Sequence, residues 1–175
     1  MVTAAELLSV AAFLEGRHAQ AFPSFGSERT GAPVVAYCRI ADVPIRTREP
    51  IVAPDAVIVQ DPTLLHQVAV FEGLRTGGHV LINSTKPAAE LGIDGIAARL
   101  LVVPATEMAQ RILGRPVPNA VLLGGFAAAS GVVSIGSVTA AIRERFTGAV
   151  AERNVAAAEE AFAFVNNEIG EIAHA

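Results

Sequence analysis

Apolar positions along this chain change period several times, and each change marks an element. Over residues 3–15 the spacing is helical: Leu7, Leu8, Ala11 and Leu14 fall on one face, and Val10 and Phe13 make the opposite face apolar too. Thr3 and Glu6 have the spacing of a capping box at the start of this helix. A helix apolar nearly all round predicts burial on every side. Residues 34–40, 56–60, 79–83 and 99–103 read as strands, the second almost continuous in β-branched residues. Asp61-Pro62 supplies an N-cap and an N1 proline for a helix running to about Glu72, and Gly77-Gly78 turns the chain into the strand at 79–83. Helical spacing returns at about 105–113, closed by Gly114 and Pro116, and again at about 119–129 and 135–146. The last helix, about 149–169, places Ala151, Val155, Ala158, Phe162, Val165 and Ile169 on one face. Glu152, Arg153, Glu159, Glu160 and Asn166 lie opposite. Residues 170–175 are expected to fray.

Strands alternating with helices predict a single α/β domain over residues 1–175. The expected architecture is a three-layer α/β/α sandwich with a mostly parallel sheet and helices on both faces. The short turn Asp42-Val43-Pro44, with Ile45 beyond it, allows an antiparallel pairing and so a mixed sheet. No internal repeat or linker interrupts the pattern.

Composition narrows the function. The 175 residues are 52% hydrophobic and 17% charged, with a net charge of −4 and Lys86 as the single lysine. Nucleic acid is an unsuitable partner, because phosphate neutralisation needs clustered Lys and Arg. Cys38 is the one cysteine and the four histidines show no ligand spacing, so this chain alone offers no iron–sulfur or structural zinc site. In a Val/Ala-rich strand, Cys38 reads as a small buried hydrophobe. No apolar run suits a membrane span, and the start lacks the basic region and cleavage site of a signal peptide. These features predict a cytoplasmic protein.

Candidate chemistry sits in loops. Residues 22–33, Phe-Pro-Ser-Phe-Gly-Ser-Glu-Arg-Thr-Gly-Ala-Pro, form a Gly- and Pro-rich loop holding Glu28 and Arg29 between apolar segments. The pair is either an exposed ion pair of little energetic weight or a shaped loop offering the Arg29 fork to a phosphate or carboxylate. Phe22 and Phe25 are expected to anchor the loop to the core. Two strand ends are polar, Gln60-Asp61 and Asn83-Ser84-Thr85-Lys86, and open α/β sheets bind ligands at such ends. Helix capping alone also accounts for Asp61, and a capping turn with an exposed lysine also accounts for 83–86. Gly124-Gly125, inside a predicted helix, suits close helix packing. No nucleophile elbow, phosphate-binding loop or intact dinucleotide fingerprint is present, so the chain is expected to catalyse nothing alone.

The order Ala-Gln-Ala-Phe-Pro-Ser-Phe-Gly-Ser-Glu-Arg-Thr-Gly-Ala-Pro-Val (19–34), Cys-Arg-Ile (38–40) and Pro-Ile (44–45) resembles the gamma subunits of 2-oxoacid:acceptor oxidoreductases, of the pyruvate:ferredoxin and phenylglyoxylate types. The likeness continues through Pro-Asp-Ala-Val-Ile-Val (54–59), Gly-Gly-His-Val-Leu-Ile-Asn-Ser (77–84), Val-Pro-Ala-Thr (103–106) and Pro-Asn-Ala-Val-Leu-Leu-Gly (118–124). It ends in the late helix with Asn-Val-Ala-Ala (154–157). It implies a non-catalytic subunit of a complex that oxidatively decarboxylates a 2-oxoacid to an acyl-CoA. Thiamine diphosphate and Mg would lie on alpha and beta subunits, iron–sulfur clusters on a ferredoxin-like delta subunit, and no cofactor on this chain. The resemblance marks Phe25, Gly26, Glu28 and Arg29, with Asn83 and Ser84, as facing the CoA side or a subunit interface. Family members usually begin with a strand and a loop of the form Gly-x-Gly-Gly-Gln-Gly, which residues 1–6 do not match: either the start is assigned too late, or this is a shortened variant whose sheet lacks that strand and loop. The competing reading is a free-standing α/β module binding a nucleotide or CoA at residues 60–61 and 83–86.

Overall fold

Two small sheets share one layer of helices in the computed structural model, which describes residues 2–24 and 33–174. Helix α1 spans Val2–Leu14. Strands β1 (His18–Ser24) and β2 (Val35–Ala41) pair antiparallel in continuous register from His18↔Ala41 to Ser24↔Val35. Strands β3 (Ala56–Val59), β4 (His79–Asn83) and β5 (Arg99–Val103) form a parallel sheet in that order. Helices α2 (Ala105–Leu113), α3 (Asn119–Ser130), α4 (Ile135–Arg145) and α5 (Gly148–His174) follow. The α/β class and the mostly parallel pairing match the expectation. The antiparallel component is a separate two-stranded sheet, and no ladder joins β2 to β3 among the described residues.

Each expected strand is present, and β1 is additional. Ala19 and Ala21 alternate with His18 and Gln20, a period-two pattern of low hydrophobic contrast. Pro23 is tolerated because β1 pairs on one side only, so its other edge has no ladder to lose. β2 therefore pairs with the strand before it, and Ile45 lies outside any strand. The inner face of the pair, including Ala19, Cys38 and Ile40, packs on the main core with Ile58, Leu81, Leu101 and Val103.

Four expectations are corrected. α1 buries one face, through Ala4, Leu7, Leu8, Ala11 and Ala12, while Phe13 is 72% exposed. After Asp61 the helix is a single 3₁₀ turn, Pro62–His66, not one running to Glu72. β-Branched Val68 and Val70 weaken its continuation, and Phe71 and Leu74 turn to pack beneath Val59, Val80 and Ile82. That face of the parallel sheet is covered by 3₁₀ turns and loops, where α-helices were expected. Finally, α5 continues to His174 instead of fraying at Gly170, although its last buried residue is Val165.

The helical side is dense. At Gly124 in α3, an added Cβ would lie 1.9 Å from the Ala158 carbonyl oxygen of α5, so glycine there lets two backbones touch. Gly114, with φ 71°, closes α2 in the left-handed conformation that glycine accepts without strain. Glu15, just past α1, joins that helix to α4. Its carboxylate accepts from Ser137 Oγ at 2.6 Å and from Ser134 N at 2.7 Å.

Candidate functional site

Because β3, β4 and β5 run parallel, their carboxyl ends open on one edge, the position at which open α/β sheets hold ligands. A cleft of about 440 Å³ lies there. Its walls are the 3₁₀ turn after β3, with Thr63 and His66, the turn after β4, with Ser84 and Lys86, and the first turn of α2, with Thr106 and Glu107.

Asn83 organises these walls. It ends β4, is 7% exposed, and uses its carboxamide in three directions. Nδ2 donates to the Gln60 carbonyl at 2.8 Å and to Thr106 Oγ1 at 2.7 Å, while Oδ1 accepts from Thr106 N at 3.0 Å. Gln60 follows β3 and Thr106 lies in the first turn of α2, so one side chain ties two strand ends to a helix start. The helix needs it. Its N-cap position is Pro104, which has no side-chain acceptor for the unpaired first-turn amides.

The adjoining turn is built from Ser84, whose N donates to Val103 O at 3.0 Å and whose Oγ accepts from Lys86 N at 3.0 Å. Lys86 is exposed, and no carboxylate stands within ion-pair distance of its ammonium among the described residues. Glu90 and Glu107 add two acceptors to the cleft. Asp61 is spent on capping: its carboxylate accepts from Thr63 Oγ1 at 2.7 Å and Thr63 N at 3.0 Å. The hydroxyl, then the backbone amide, holds its pKa below the usual aspartate value, so it stays ionised and is no proton donor near neutrality.

Other reactive groups lie elsewhere. Burial pushes the Cys38 thiol up to about 12, which leaves it protonated and inert at neutral pH. His79 sits at the amino end of β4, and burial, then neighbouring Arg99, lowers its pKa. No group of three or more His, Cys, Asp or Glu suited to a metal occurs among the described residues. None of the helices described is long and apolar enough to cross a membrane.

The structure thus brings Asn83 and Ser84 together in the cleft, as partners in one scaffold. Phe25, Gly26, Glu28 and Arg29 lie outside the described residues. The segment expected as a loop from residue 22 begins inside β1, where Phe22 faces Tyr37 with ring centroids 5.3 Å apart. Sequence reasoning missed Thr106, His66 and Glu107. The signal for Thr106 was Pro104: a helix starting on a residue without a capping side chain must find its cap elsewhere.

The profile of the family described as pyruvate ferredoxin/flavodoxin oxidoreductase matches residues 1–164. This chain belongs to that family. The common gamma subunit of the pyruvate/ketoisovalerate oxidoreductases of Thermococcus kodakarensis is 49% identical over 163 residues, covering 92% of this chain and 88% of that protein. The pyruvate oxidoreductase subunit PORC of Thermotoga maritima superposes with a TM-score of 0.81 at 33% identity, covering 93% of this chain and 88% of that one. A 2-oxoglutarate:ferredoxin oxidoreductase from Magnetococcus marinus, solved with 2-oxoglutarate, coenzyme A and succinyl-CoA, has a TM-score of 0.73 at 14% identity. It covers 95% of this chain and 29% of its own, and at that identity the likeness shows the fold alone. The resemblance to gamma subunits of the family is borne out over nearly the whole chain.

Proposed function

We propose that this chain is the gamma subunit of a cytoplasmic 2-oxoacid:acceptor oxidoreductase complex acting on pyruvate or a branched-chain relative of it. The observation that carries the proposal is the 49% identity, over 163 residues, with a gamma subunit shared by pyruvate and ketoisovalerate oxidoreductases. In the reaction the carboxylate leaves as carbon dioxide, the remaining acyl group forms a thioester with CoA, and two electrons pass to ferredoxin or a similar acceptor. Thiamine diphosphate with Mg, on alpha and beta subunits, would supply the carbanion chemistry, and clusters on a delta subunit would carry the electrons.

This chain's part is to bind and orient. The cleft offers the hydroxyls of Ser84 and Thr106 and the ammonium of Lys86 to the oxygen atoms of CoA. Phe25, Gly26, Glu28 and Arg29 are proposed, on the resemblance alone, to serve the CoA side or the subunit interface. Native purification through a tag on this chain tests the reading. Larger subunits carrying thiamine and iron–sulfur clusters are expected to co-purify. A stable, partnerless monomer would favour a free-standing module instead.

A further inference from the structure

We infer that Asn83 is the positioning residue of the cleft and that it sets the Thr106 hydroxyl as a donor toward the ligand, an inference that rests on the proposed function. Asn83 comes from β4, yet it performs the capping of α2 that Pro104 cannot, and both Gln60 and Thr106 are 23 residues from it in sequence. The direction of each hydrogen bond fixes the chemistry of the wall. Nδ2 has two protons, given to the Gln60 carbonyl and to Thr106 Oγ1, so that oxygen is occupied as an acceptor and keeps its own proton to donate. The Ser84 hydroxyl is in the same state, because its oxygen accepts from Lys86 N. With the Lys86 ammonium, three donors stand on two adjoining walls of the cleft. They select the acceptor-rich part of a ligand, a phosphate or an amide carbonyl such as CoA carries. Glu90 and Glu107 provide acceptors for its amide protons.

Asn83 has few groups left for the ligand, being almost fully buried with both protons committed. It acts through Thr106. Replacement by aspartate keeps an oxygen to cap Thr106 N but removes the donor. The Thr106 proton would then turn to the new carboxylate and be lost to the ligand. Thr106→Val removes the same proton without touching Asn83.

The test is steady-state kinetics on the assembled complex carrying Asn83→Asp, Thr106→Val, Thr106→Ser or the Asn83→Asp/Thr106→Val pair. Loss of one ligand hydrogen bond predicts about a tenfold rise in KM for CoA in both single variants. The value of kcat at saturating CoA and the KM for the 2-oxoacid should stay within a factor of about three. Thr106→Ser should behave as wild type, and the double variant should be no worse than either single one. If Asn83→Asp fails to assemble, Thr106→Val decides alone. An unchanged KM for CoA in Thr106→Val, or an equal loss with Thr106→Ser, overturns the inference. If the wild-type complex oxidises its 2-oxoacid without any dependence on CoA, both this inference and the functional reading fall. Retained CoA dependence with unmoved KM values sinks this inference only.

Discussion

Replacing Gly124 by alanine should damage this fold far more than the same change at its neighbour Gly125. An alanine Cβ at Gly124 would stand 1.9 Å from the carbonyl oxygen of Ala158, 2.6 Å from its carbonyl carbon and 2.7 Å from its Cα. Heavy atoms settle at about 3.5 Å, so one backbone would have to retreat by roughly 1.5 Å. No side chain can rotate away, because the obstacle is the α5 main chain. Retreat would loosen the seam where α5 buries Ala157, Ala158, Ala161 and Val165, and a gap of about 1 Å already forfeits up to half the attraction of each pair across it. Overpacking of this kind costs about 1–3 kcal/mol, and loosening of the seam should carry it to the upper end. The gain in helix propensity, about 1 kcal/mol, offsets part of that. The net expectation is a loss of about 2 kcal/mol, a fall in Tm of roughly 4–8 °C for a domain of this size. At Gly125 the added Cβ would lie 3.4 Å from Leu81 Cδ2 and from Val165 Cγ2, ordinary contact distances. There the propensity gain should leave the variant as stable as wild type or slightly more so. Urea titrations followed by far-UV circular dichroism, run in parallel on the two variants, measure the difference. Ala158→Gly should fail to rescue Gly124→Ala, since it removes no clashing atom. Equal stability of the two variants, or rescue by Ala158→Gly, would refute the close backbone contact.

Two further outcomes follow from titratable groups. The Ser137 hydroxyl, then the Ser134 amide, lowers the pKa of Glu15, so this carboxylate stabilises the native state above its unfolded pKa and loses that contribution as pH falls through its native one. Glu15→Gln should therefore be less stable than wild type at pH 7, with the difference closing toward about pH 3, as read from urea midpoints; a constant gap across that range would contradict the assignment. Cys38, with its thiol pushed up to about 12, should have a thiolate fraction of roughly 10⁻⁴ at pH 8 and react with a disulfide reagent only after unfolding. Rapid native labelling would show the β2 inner face to be open.

Much of the fold was legible because its signals are local. The strands β3, β4 and β5 announce themselves as short apolar runs at 56–59, 80–82 and 100–103, and α2 ends at Gly114 as its spacing requires. β1 was not legible: Ala19 and Ala21 give little contrast against His18 and Gln20, and Pro23 reads as a breaker unless the strand is known to lie at an edge. Asp61-Pro62 announced where a helical turn starts, but nothing local limited it to Pro62–His66. Gly170 suggested a stop that α5 passes through, since one glycine costs only about 1 kcal/mol in a helix of 27 residues. At the site, the polar strand end drew attention to Asn83 and Ser84. The capping role of Asn83 depends on α2 starting beside β4, a tertiary fact that no local pattern carries.

As proposed, this chain is a necessary, non-catalytic part of a 2-oxoacid oxidoreductase. Its most direct test is reduction of ferredoxin, driven by pyruvate or 2-ketoisovalerate in the presence of CoA, by the complex purified with and without this chain. Activity should be CoA-dependent, co-elute with this chain, disappear when it is omitted and return when it is added back. Full activity in a complex lacking the chain, or oxidoreductase activity from the chain alone, would contradict it.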